Sequence, residues 1–559
     1  MAQRDSTLKN TPPLAHPGWR FWPGRIVALI LLAVVLAGFC GLLREWRWQA
    51  IPELWQSAYL RQVIWFSLYQ ATLSTALSLV VALPVARALH RQAHFLGRGL
   101  LLRLTELSLV LPTIVAVFGL VAVYGRSGWL NGLLGAMALP FNWNLYGLQG
   151  ILLAHVFFNA PLAARIMLLS LERIPTNQWR IAAQLGLDSG PIWKTLEWPS
   201  LRRLLPGLAA FIFTLCFTSF AVVMTLGGGP KSTTVEVAIY QALRYEFDFS
   251  QAAILAVVQL LICGTLWLLA TRQRTSRDLL PGGIDIAGSP RRDTQKARMR
   301  DRLLLSLFLA FLILPLTAIT VRGLPGLYAE LDSLRLWSSL VRSLMVAVIA
   351  AGLSVSFGLA ILAASQGDRD AHRNAQAGLT EAGGHLTLVV PALVLGTGLF
   401  ILLRPQLGNV SQGLALVTLI NALMALPFVL QVLRGPFTSL DPFSLRLADQ
   451  FNIRGWYRFR QLILPLLKRP LLLGFAYAAG LSLGDFSVIA LFGSPGSPTL
   501  PLLLYQQLSS YQLDAAAGTA LLMLILLFGL FFVLHRLGQN ATIRATGTTP
   551  AARRSNTHA

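Results

Sequence analysis

Long apolar runs separated by short polar stretches recur along the whole chain. A membrane-spanning helix needs about 20 apolar residues, at a rise of about 1.5 Å per residue, to cross about 30 Å of hydrocarbon. The runs that meet this requirement cover 25–43, 63–86, 104–124, 147–170, 204–226 and 250–270, then 303–321, 338–364, 386–403, 410–433, 470–492 and 515–535. The pattern predicts an all-α polytopic membrane protein with about twelve transmembrane helices.

The second half of the chain repeats the first. Matching positions are Pro161 and Pro427, Pro199 and Pro465, and Gly119 and Gly398. The two proline pairs share one shift of 266 residues. Because an even number of spans separates the copies, they run the same way through the membrane. We therefore expect two parallel six-span repeats.

The repeats and the segments around them define four regions. We expect a first permease repeat at 1–270, a cytoplasmic linker at 271–302, a second permease repeat at 303–540 and a cytoplasmic tail at 541–559. The linker is predicted to be solvated because it is rich in basic and acidic residues and contains Pro281. Its basic residues are explained by membrane topology, although attraction to anionic lipid headgroups is an alternative.

Basic residues orient the spans, because Lys and Arg concentrate in cytoplasmic loops. They occur at Arg4, Lys9, Arg20 and Arg25 in the N-terminal tail and at Arg87, Arg91, Arg98 and Arg103 after the second span. The loop at 125–146 has only Arg126, and the loop at 493–514 has no basic residue. Both termini are thus predicted to be cytoplasmic.

Composition excludes a soluble enzyme. The chain has 559 residues, of which 55% are hydrophobic and only 12% charged, whereas a soluble domain carries about 25% charged residues. The 46 Lys and Arg residues against 23 Asp and Glu give a net charge of +23. In a soluble protein this excess would suggest nucleic acid. Its position in loops indicates a lipid bilayer as the partner instead, and no nucleic acid.

Residues that could carry catalysis or bind a metal are not arranged to do so. The three cysteines, Cys40, Cys216 and Cys263, lie in separate apolar runs, and the histidines lack ligand spacing. The glycines at 227–229 are not followed by the Gly-Lys-Ser/Thr of a phosphate-binding loop. We expect no catalytic residues, no metal and no cofactor, so that ATP hydrolysis would need a separate partner.

A long cytoplasmic segment joins the fourth and fifth spans of each half, at 173–203 and 439–469. In the first copy, the pattern predicts a helix that ends at Gly186 and a second short helix that stops before Pro199. Asn452 occupies the place of Gly186 in the second copy. Next to Gly, Asn is the residue type most often found in the left-handed conformation. We therefore expect both Gly186 and Asn452 at positive φ.

These two segments resemble the cytoplasmic loop of permeases in binding-protein-dependent ABC importers. The motif of that family is Glu-Ala-Ala, three residues, Gly, nine residues, Ile, one residue and Leu-Pro. The matching positions are Ala182, Gly186, Leu196 and Pro199 in the first copy and Ala448, Asn452, Leu462 and Pro465 in the second. Arg180 and Arg446 replace the Glu. The resemblance implies helix-turn-helix loops that dock in a groove on each ATPase subunit.

Longer strings resemble one group within that family, the single-chain permeases of thiamine and thiamine pyrophosphate importers. They are YGLQGILLAHVFFNAPLAARIMLLSLERIP, FTSFAVVMTLGGGPKSTTVEVAIYQALRYEFD and GDFSVIALFGSPGSPTLPLLLYQQLSSYQLD. The resemblance implies an inner-membrane permease subunit that carries thiamine and thiamine pyrophosphate from periplasm to cytoplasm. It also implies two partners, an ATPase subunit dimer on the cytoplasmic side and a periplasmic thiamine-binding protein.

Two other functions stay open from the residues. An importer of the same architecture for ferric iron or a phosphonate is one. A secondary transporter driven by an ion gradient is the other, and such transporters usually carry ionisable groups near the bilayer midplane. Here Glu106 and Asp485 are the clear candidates for such ionisable groups. A secondary transporter would not need the two folded cytoplasmic loops.

Asp485, with Ser219 as its counterpart in the first half, is our candidate for the substrate pathway. An ionisable residue inside the membrane is costly and therefore a functional candidate. Thiamine carries a permanent positive charge, which a carboxylate would attract. The alternative is structural, with Asp485 accepting hydrogen bonds where the span breaks beside Gly484.

Overall fold

The computed structural model describes most of the chain. The described residues are 22–45, 52, 56–108, 110–138, 143–272, 294–370, 373–385, 387, 390–403, 410–439, 450–451, 457 and 459–546. Every α-helix, 3₁₀ turn and π-helical turn considered below lies within these residues, where no β-strand occurs. The prediction of an all-α protein is confirmed.

The helices of the first half begin with α1 (Trp22–Arg44), α2 (Ala58–Arg91), α3 (Arg98–Leu107), α4 (Thr113–Tyr124), α5 (Trp129–Ala136) and α6 (Leu148–Glu172). They continue with α7 (Thr176–Gln184), α8 (Ser189–Ile192), α9 (Trp198–Phe217), α10 (Phe220–Leu226), α11 (Val235–Gln241) and α12 (Phe249–Arg272).

The second half contains α13 (Gln295–Ala329), α14 (Leu334–Asp370), α15 (Asn374–His385), α16 (Ala392–Leu403) and α17 (Val410–Thr438). After the second cytoplasmic loop come α18 (Leu464–Gly484), α19 (Ser487–Phe492), α20 (Leu500–Ser509) and α21 (Leu513–Thr546). Apart from α5, α7 and α8, which have no counterpart among the described residues, long and short helices follow one another in the same order as in the first half.

Eleven helical segments among the described residues are long and apolar enough to cross a membrane, and α16 is a shorter apolar helix. Four predicted spans need correction, and the breaks in two of them, 204–226 and 470–492, are described with the candidate site. The span at 386–403 is represented by α16 alone, which has 12 residues and a length of about 18 Å. The span at 104–124 is interrupted between α3 and α4, where Pro112 precedes the first residue of α4. Proline has no N–H to donate and therefore begins a helix more readily than it continues one.

One hydrogen bond recurs in both halves and fixes equivalent helices. The backbone N–H of Val235, at the start of α11, donates to Ser67 Oγ at 2.9 Å. The N–H of Leu500, at the start of α20, donates to Ser343 Oγ at 2.8 Å. Each serine satisfies an N–H that has no partner within its own helix. The two copies therefore use the same contact to hold a short helix against the second long helix.

The halves exchange their first helices. Helix α1 packs against α14, α15 and α16 of the second half, and α13 packs against α4 of the first. Glycines permit both crossings. A Cβ on Gly41 would lie 1.9 Å from the carbonyl oxygen of Gly398, and a Cβ on Gly119 would lie 2.8 Å from the carbonyl oxygen of Pro315. Gly119 and Gly398 are equivalent positions of the two repeats. Each half therefore has a glycine at the same place to admit the first helix of the other half.

Ion pairs accompany both exchanged helices, with opposite polarity. Arg25 of α1 contacts Asp368 of α14 at 2.5 Å. Asp301 of α13 contacts Arg91 of α2 at 3.5 Å. In the first pair the basic residue lies on the exchanged helix, α1. In the second pair the exchanged helix, α13, carries the acidic residue, and the basic residue lies on α2. Interchanging α1 and α13 would bring like charges together, which opposes that arrangement.

The first prediction concerns the crossing of α1 and α16. We expect Gly41→Ala to lower the thermal unfolding midpoint of the detergent-solubilised protein, because the added methyl group overlaps the Gly398 carbonyl. Overpacking of this kind costs about 1–3 kcal/mol. Gly352→Ala is the matched control, since a Cβ there meets nothing within 4 Å and alanine favours a helix. Equal midpoints for Gly41→Ala and wild type would contradict the crossing.

Candidate coupling surface and transport pathway

The loop at 173–203, which the sequence predicts to be cytoplasmic, contains the predicted turn. Helix α7 ends before Gly186, which has φ +61° as predicted. The N–H of Leu187 donates to the carbonyl of Ala182 at 3.0 Å, and the N–H of Gly186 donates to that of Ala183 at 3.1 Å. This pair of bonds is the Schellman motif, which closes a helix with a left-handed residue. Asn452 and Ala448 lie outside the described residues.

The chain after this turn differs from the prediction. The second short helix does not stop before Pro199, because α8 passes through a π-helical turn at Trp193–Glu197 directly into α9. Pro199 is the second residue of α9, directly after the π-helical turn, and it cannot donate a backbone bond to the preceding turn. In the second half a π-helical turn at Phe459–Ile463 likewise precedes α18. Leu462 lies in that turn and Pro465 in the first turn of α18.

Two of the motif residues, Ala182 and Leu196, lie on the inside of the first loop. Trp179, Ala182 and Ile192 are buried together, with Leu187 and Leu196 packed against them. Two apolar side chains are exposed on the outside of this loop, Ile181 on α7 at 55% and Leu185 at its C-terminal end at 68%. The sequence motif therefore identified residues that hold the loop together. The exposed apolar positions beside them were missed, although their spacing of four along a helix indicates one face.

Several contacts attach this loop to the end of α2. Arg87 Nε donates to Glu197 Oε2 at 2.7 Å, and its guanidinium lies 4.6 Å from the centre of the Trp193 ring. The rings of His90 and Trp179 are 5.3 Å apart. Glu197 is fully buried, so its charge depends on this pairing. Since α2 has 34 residues, movement of the loop is connected to a helix that runs through the bundle.

The spans that follow the two loops are both broken. Helix α9 ends at Phe217 and α10 begins at Phe220, with Ser219 immediately before it. Helix α18 ends at Gly484, and Asp485 follows it. Helices α9 and α18 have 20 and 21 residues, or about 30 Å each. The breaks therefore lie far from the loops along the bundle.

Asp485 follows the break in the second-half span and contacts the helix after it. The N–H of Val488 donates to Asp485 Oδ1 at 3.4 Å, so the carboxylate accepts a bond from the first turn of α19. Within the described part of the chain, Asp485 Oδ2 is buried and has no hydrogen-bond partner. The two oxygens of this carboxylate therefore differ in their hydrogen bonding.

A small polar cavity adjoins this carboxylate. Its volume is ≈ 10 Å³, and its polar lining consists of Ser343, Asn421, Ser482, Asp485 and Thr499. Asn421 Nδ2 donates to Ser482 Oγ at 3.0 Å. A cavity of this size accommodates about one water. In this conformation it is far too small for a vitamin, and Ser219 is not among its lining residues.

Four aromatic rings connect the two breaks. Phe220 stacks on Phe486 across the halves with ring centres 5.4 Å apart. Tyr240 lies 5.2 Å from Phe220, and Tyr505 lies 4.9 Å from Phe486. The result is a symmetric line, Tyr240–Phe220–Phe486–Tyr505, which we call the aromatic line. The repeated sequence contained a signal for it, because Phe220 and Phe486 are 266 residues apart and the tyrosines 265.

The ionisable groups also differ from expectation. Glu106 is 54% exposed and pairs with Arg165 at 3.1 Å, so it is not an isolated charge. Glu236 of α11 is buried, and Gln259 Nε2 donates to its Oε1 at 2.8 Å. Sequence reasoning missed Glu236 because it lies between two predicted spans. A search for acidic residues in the short apolar stretches between spans would have found it.

Among the described residues, a duplicated all-α bundle of long apolar helices with a broken span in each half defines a multi-pass membrane protein. Residues 385–541 match the family model described as binding-protein-dependent transport system inner membrane component. The chain is also similar to proteins named thiamine transport system permease protein ThiP. The relative from Escherichia coli (strain K12) is 43% identical over 532 residues, covering 94% of this chain and 98% of that protein.

Two further relatives carry the same name. The protein from Brucella abortus (strain 2308) is 41% identical, covering 86% of this chain and 88% of its own length. The protein from Haemophilus influenzae (strain ATCC 51907 / DSM 11121 / KW20 / Rd) is 38% identical, covering 92% of this chain and 96% of its own. The chain belongs to the thiamine transport system permease family of inner-membrane transport components.

Proposed function

We propose that this chain is the permease subunit of an ATP-driven importer that moves thiamine and thiamine pyrophosphate from periplasm to cytoplasm. The observation that carries the proposal is identity of 43% to a thiamine transport permease across 98% of that protein's length. The chain itself is not an enzyme in this proposal. A separate ATPase dimer hydrolyses ATP, and a periplasmic thiamine-binding protein delivers the substrate.

The proposed arrangement in the membrane follows the duplication. Repeats at 1–270 and 303–540 span the bilayer in parallel, while both termini, the linker at 271–302 and the tail at 541–559 lie in the cytoplasm. The cytoplasmic loops then face the ATPase dimer, one loop to each subunit. The span breaks, about 30 Å away along α9 and α18, lie toward the periplasm.

The surface of α7 supports ATPase docking. Ile181 and Leu185 present an exposed apolar face, and burial of such a face against a partner is favourable. Ala182, Gly186, Leu196 and Pro199 shape the loop, and Ala448, Asn452, Leu462 and Pro465 have the same role in the second half. Arg87 then transmits displacement of the first loop to α2 through Glu197.

ATP acts on this assembly as a ligand with unequal affinity for two conformations. An equilibrium between two states shifts only by the difference in their affinities for a ligand. When the ATPase subunits close on ATP, they draw the two loops together, and the halves rearrange around their shared axis. Release of the products allows the loops to separate again. The substrate pathway is therefore open to one side of the membrane at a time.

Asp485 and Ser219 mark the proposed pathway at the two breaks. The carboxylate of Asp485 places negative potential where a cation crosses between the halves. Ser219 is uncharged, so the attraction comes from one half only. An electrostatic role of this kind requires no proton transfer.

The direct test uses the chain assembled with its ATPase subunits in proteoliposomes. We expect ATP-dependent accumulation of labelled thiamine when the binding protein is supplied, and competition by thiamine pyrophosphate. Ferric ion and a phosphonate serve as competitors for the two alternative substrate classes. Accumulation driven by an ion gradient without ATP, or of those alternative substrates in place of thiamine, would contradict the proposal.

A second prediction concerns the turn at Gly186. Gly186→Ala should reduce thiamine uptake and ATPase binding while membrane insertion stays normal, because a non-glycine residue in the left-handed conformation costs about 1–2 kcal/mol. A Cβ there meets nothing within 4 Å, so the effect is conformational. Gly190→Ala is the control, since Gly190 also has open space but no positive φ. Equal uptake by both variants would show that the turn is not needed for coupling.

A third prediction concerns the charge of Asp485. Asp485→Asn keeps the size of the side chain and removes its charge, and we expect thiamine uptake to fall about tenfold. This is the order expected of one unit charge acting over about 10 Å in an effective dielectric of about 20. Asp514→Asn, at the exposed start of α21, is the control. Uptake that is normal in Asp485→Asn at equal membrane abundance would eliminate the cation-attracting role.

A further inference from the structure

The aromatic line lies where the two halves meet. Phe220 belongs to the first half and Phe486 to the second, and both are almost completely buried. Their rings are inclined by only 26° to one another, so they present faces rather than edges. Because the halves are parallel copies, a pathway shared by both must run along the axis that relates them. The Phe220–Phe486 contact lies across that axis.

The line occurs in both copies although most of the surrounding sequence has diverged. Each phenylalanine comes directly after a span break, and each contacts a tyrosine of its own half on α11 or α20. The same serine hydrogen bond holds both of those short helices. Two independent elements in each half therefore position the rings. If these positions only had to fill space, aliphatic side chains of similar volume would do so, and such side chains are abundant elsewhere in these spans.

Aromatic faces have a specific chemistry. The face of a benzene ring is negative, and it attracts a cation that lies within about 6 Å of the ring centre. It also stacks on a second aromatic ring. A ligand that combines a permanent cation with flat aromatic rings satisfies both interactions. Thiamine, with its cationic thiazolium and its aminopyrimidine ring, has this chemistry.

We propose that the aromatic line is both the closure of the pathway and a specificity element for aromatic cations. This inference rests on the proposed function and extends it to named residues. With no substrate, Phe220 and Phe486 stack on each other and leave no passage. A passing aromatic cation inserts between them and replaces the ring-on-ring contact with two contacts to its own faces. A non-aromatic solute separates the rings without this compensation and therefore crosses less readily. Asp485, adjacent to Phe486, adds attraction for the charge.

The experiment compares leucine and tyrosine variants in the reconstituted complex. Phe220→Leu and Phe486→Leu keep an apolar side chain but remove the ring, and we expect each to reduce the rate of labelled thiamine uptake about tenfold. Phe220→Tyr and Phe486→Tyr keep the ring and should stay within about twofold of wild type. Phe531→Leu is the control. Phe531 lies on α21, and its ring centre is 5.5 Å from that of Tyr477 on α18, so this variant removes a ring contact within the second half.

Binding of the ATPase subunits and the thermal unfolding midpoint are measured for every variant, so that uptake is compared only between assembled complexes. A loss of uptake in the leucine variants with rescue by tyrosine supports the inference. The inference is overturned if the leucine variants transport thiamine like wild type or like Phe531→Leu. The proposed function stays intact in that case, as long as the wild-type complex takes up thiamine. A wild-type complex that does not accumulate thiamine overturns the proposed function, and this inference with it.

Discussion

Close backbone contact between each half's first helix and a helix of the other half holds the two halves in one body. At Gly41 and Gly398 there is no room even for a methyl group. In a bilayer, burial of apolar surface gives little drive for helices to associate, so close packing of small residues has to provide it. The equivalent crossing at Gly119 completes the exchange. Each half is therefore incomplete without the other, and the aromatic line between them depends on this alignment.

Charge then determines which helix occupies which crossing. The pairs Arg25–Asp368 and Asp301–Arg91 have reversed polarity, although the two crossings are equivalent by duplication. A duplicated chain has to distinguish two similar docking sites, and repulsion between like charges does this at small cost. Arg91 follows Arg87 on the same helix by one turn. The residues that select α13 and those that hold the first cytoplasmic loop thus share the end of α2, which connects assembly to coupling.

The sequence predicted the helices well because the bilayer permits few alternatives. A backbone in hydrocarbon must satisfy its own hydrogen bonds, so long apolar runs become helices. The turn at Gly186 was also predictable, since its motif requires a left-handed residue. The interruption before Pro112 and the shortness of α16 were not, because apolar composition alone does not show where a helix starts. The π-helical turns before Pro199 and Pro465 likewise have no clear local signal.

The site was less predictable than the fold. Ala182 and Leu196 match a family motif, but they lie inside the loop and leave Ile181 and Leu185 to form its surface. Glu236 escaped notice because it lies outside every predicted span. The aromatic line was present in the repeated strings, yet only three-dimensional packing shows that Phe220 and Phe486 face each other. Contacts between distant segments depend on how the halves cross, and local patterns do not contain that information.

The central claim is that the halves meet at Phe220 and Phe486 and separate there during transport. It is tested most directly by cross-linking Phe220→Cys to Phe486→Cys with a short bifunctional thiol reagent, in a chain whose three native cysteines are replaced by alanine. Because both cysteines lie in one chain, a protease site is inserted in 271–302. After cleavage, the two halves migrate together on a denaturing gel only if the cross-link has formed. We expect efficient cross-linking without nucleotide, less with trapped ATP, and no thiamine uptake once the link has formed. Absence of a cross-link in every state, or normal uptake by the linked protein, would contradict it.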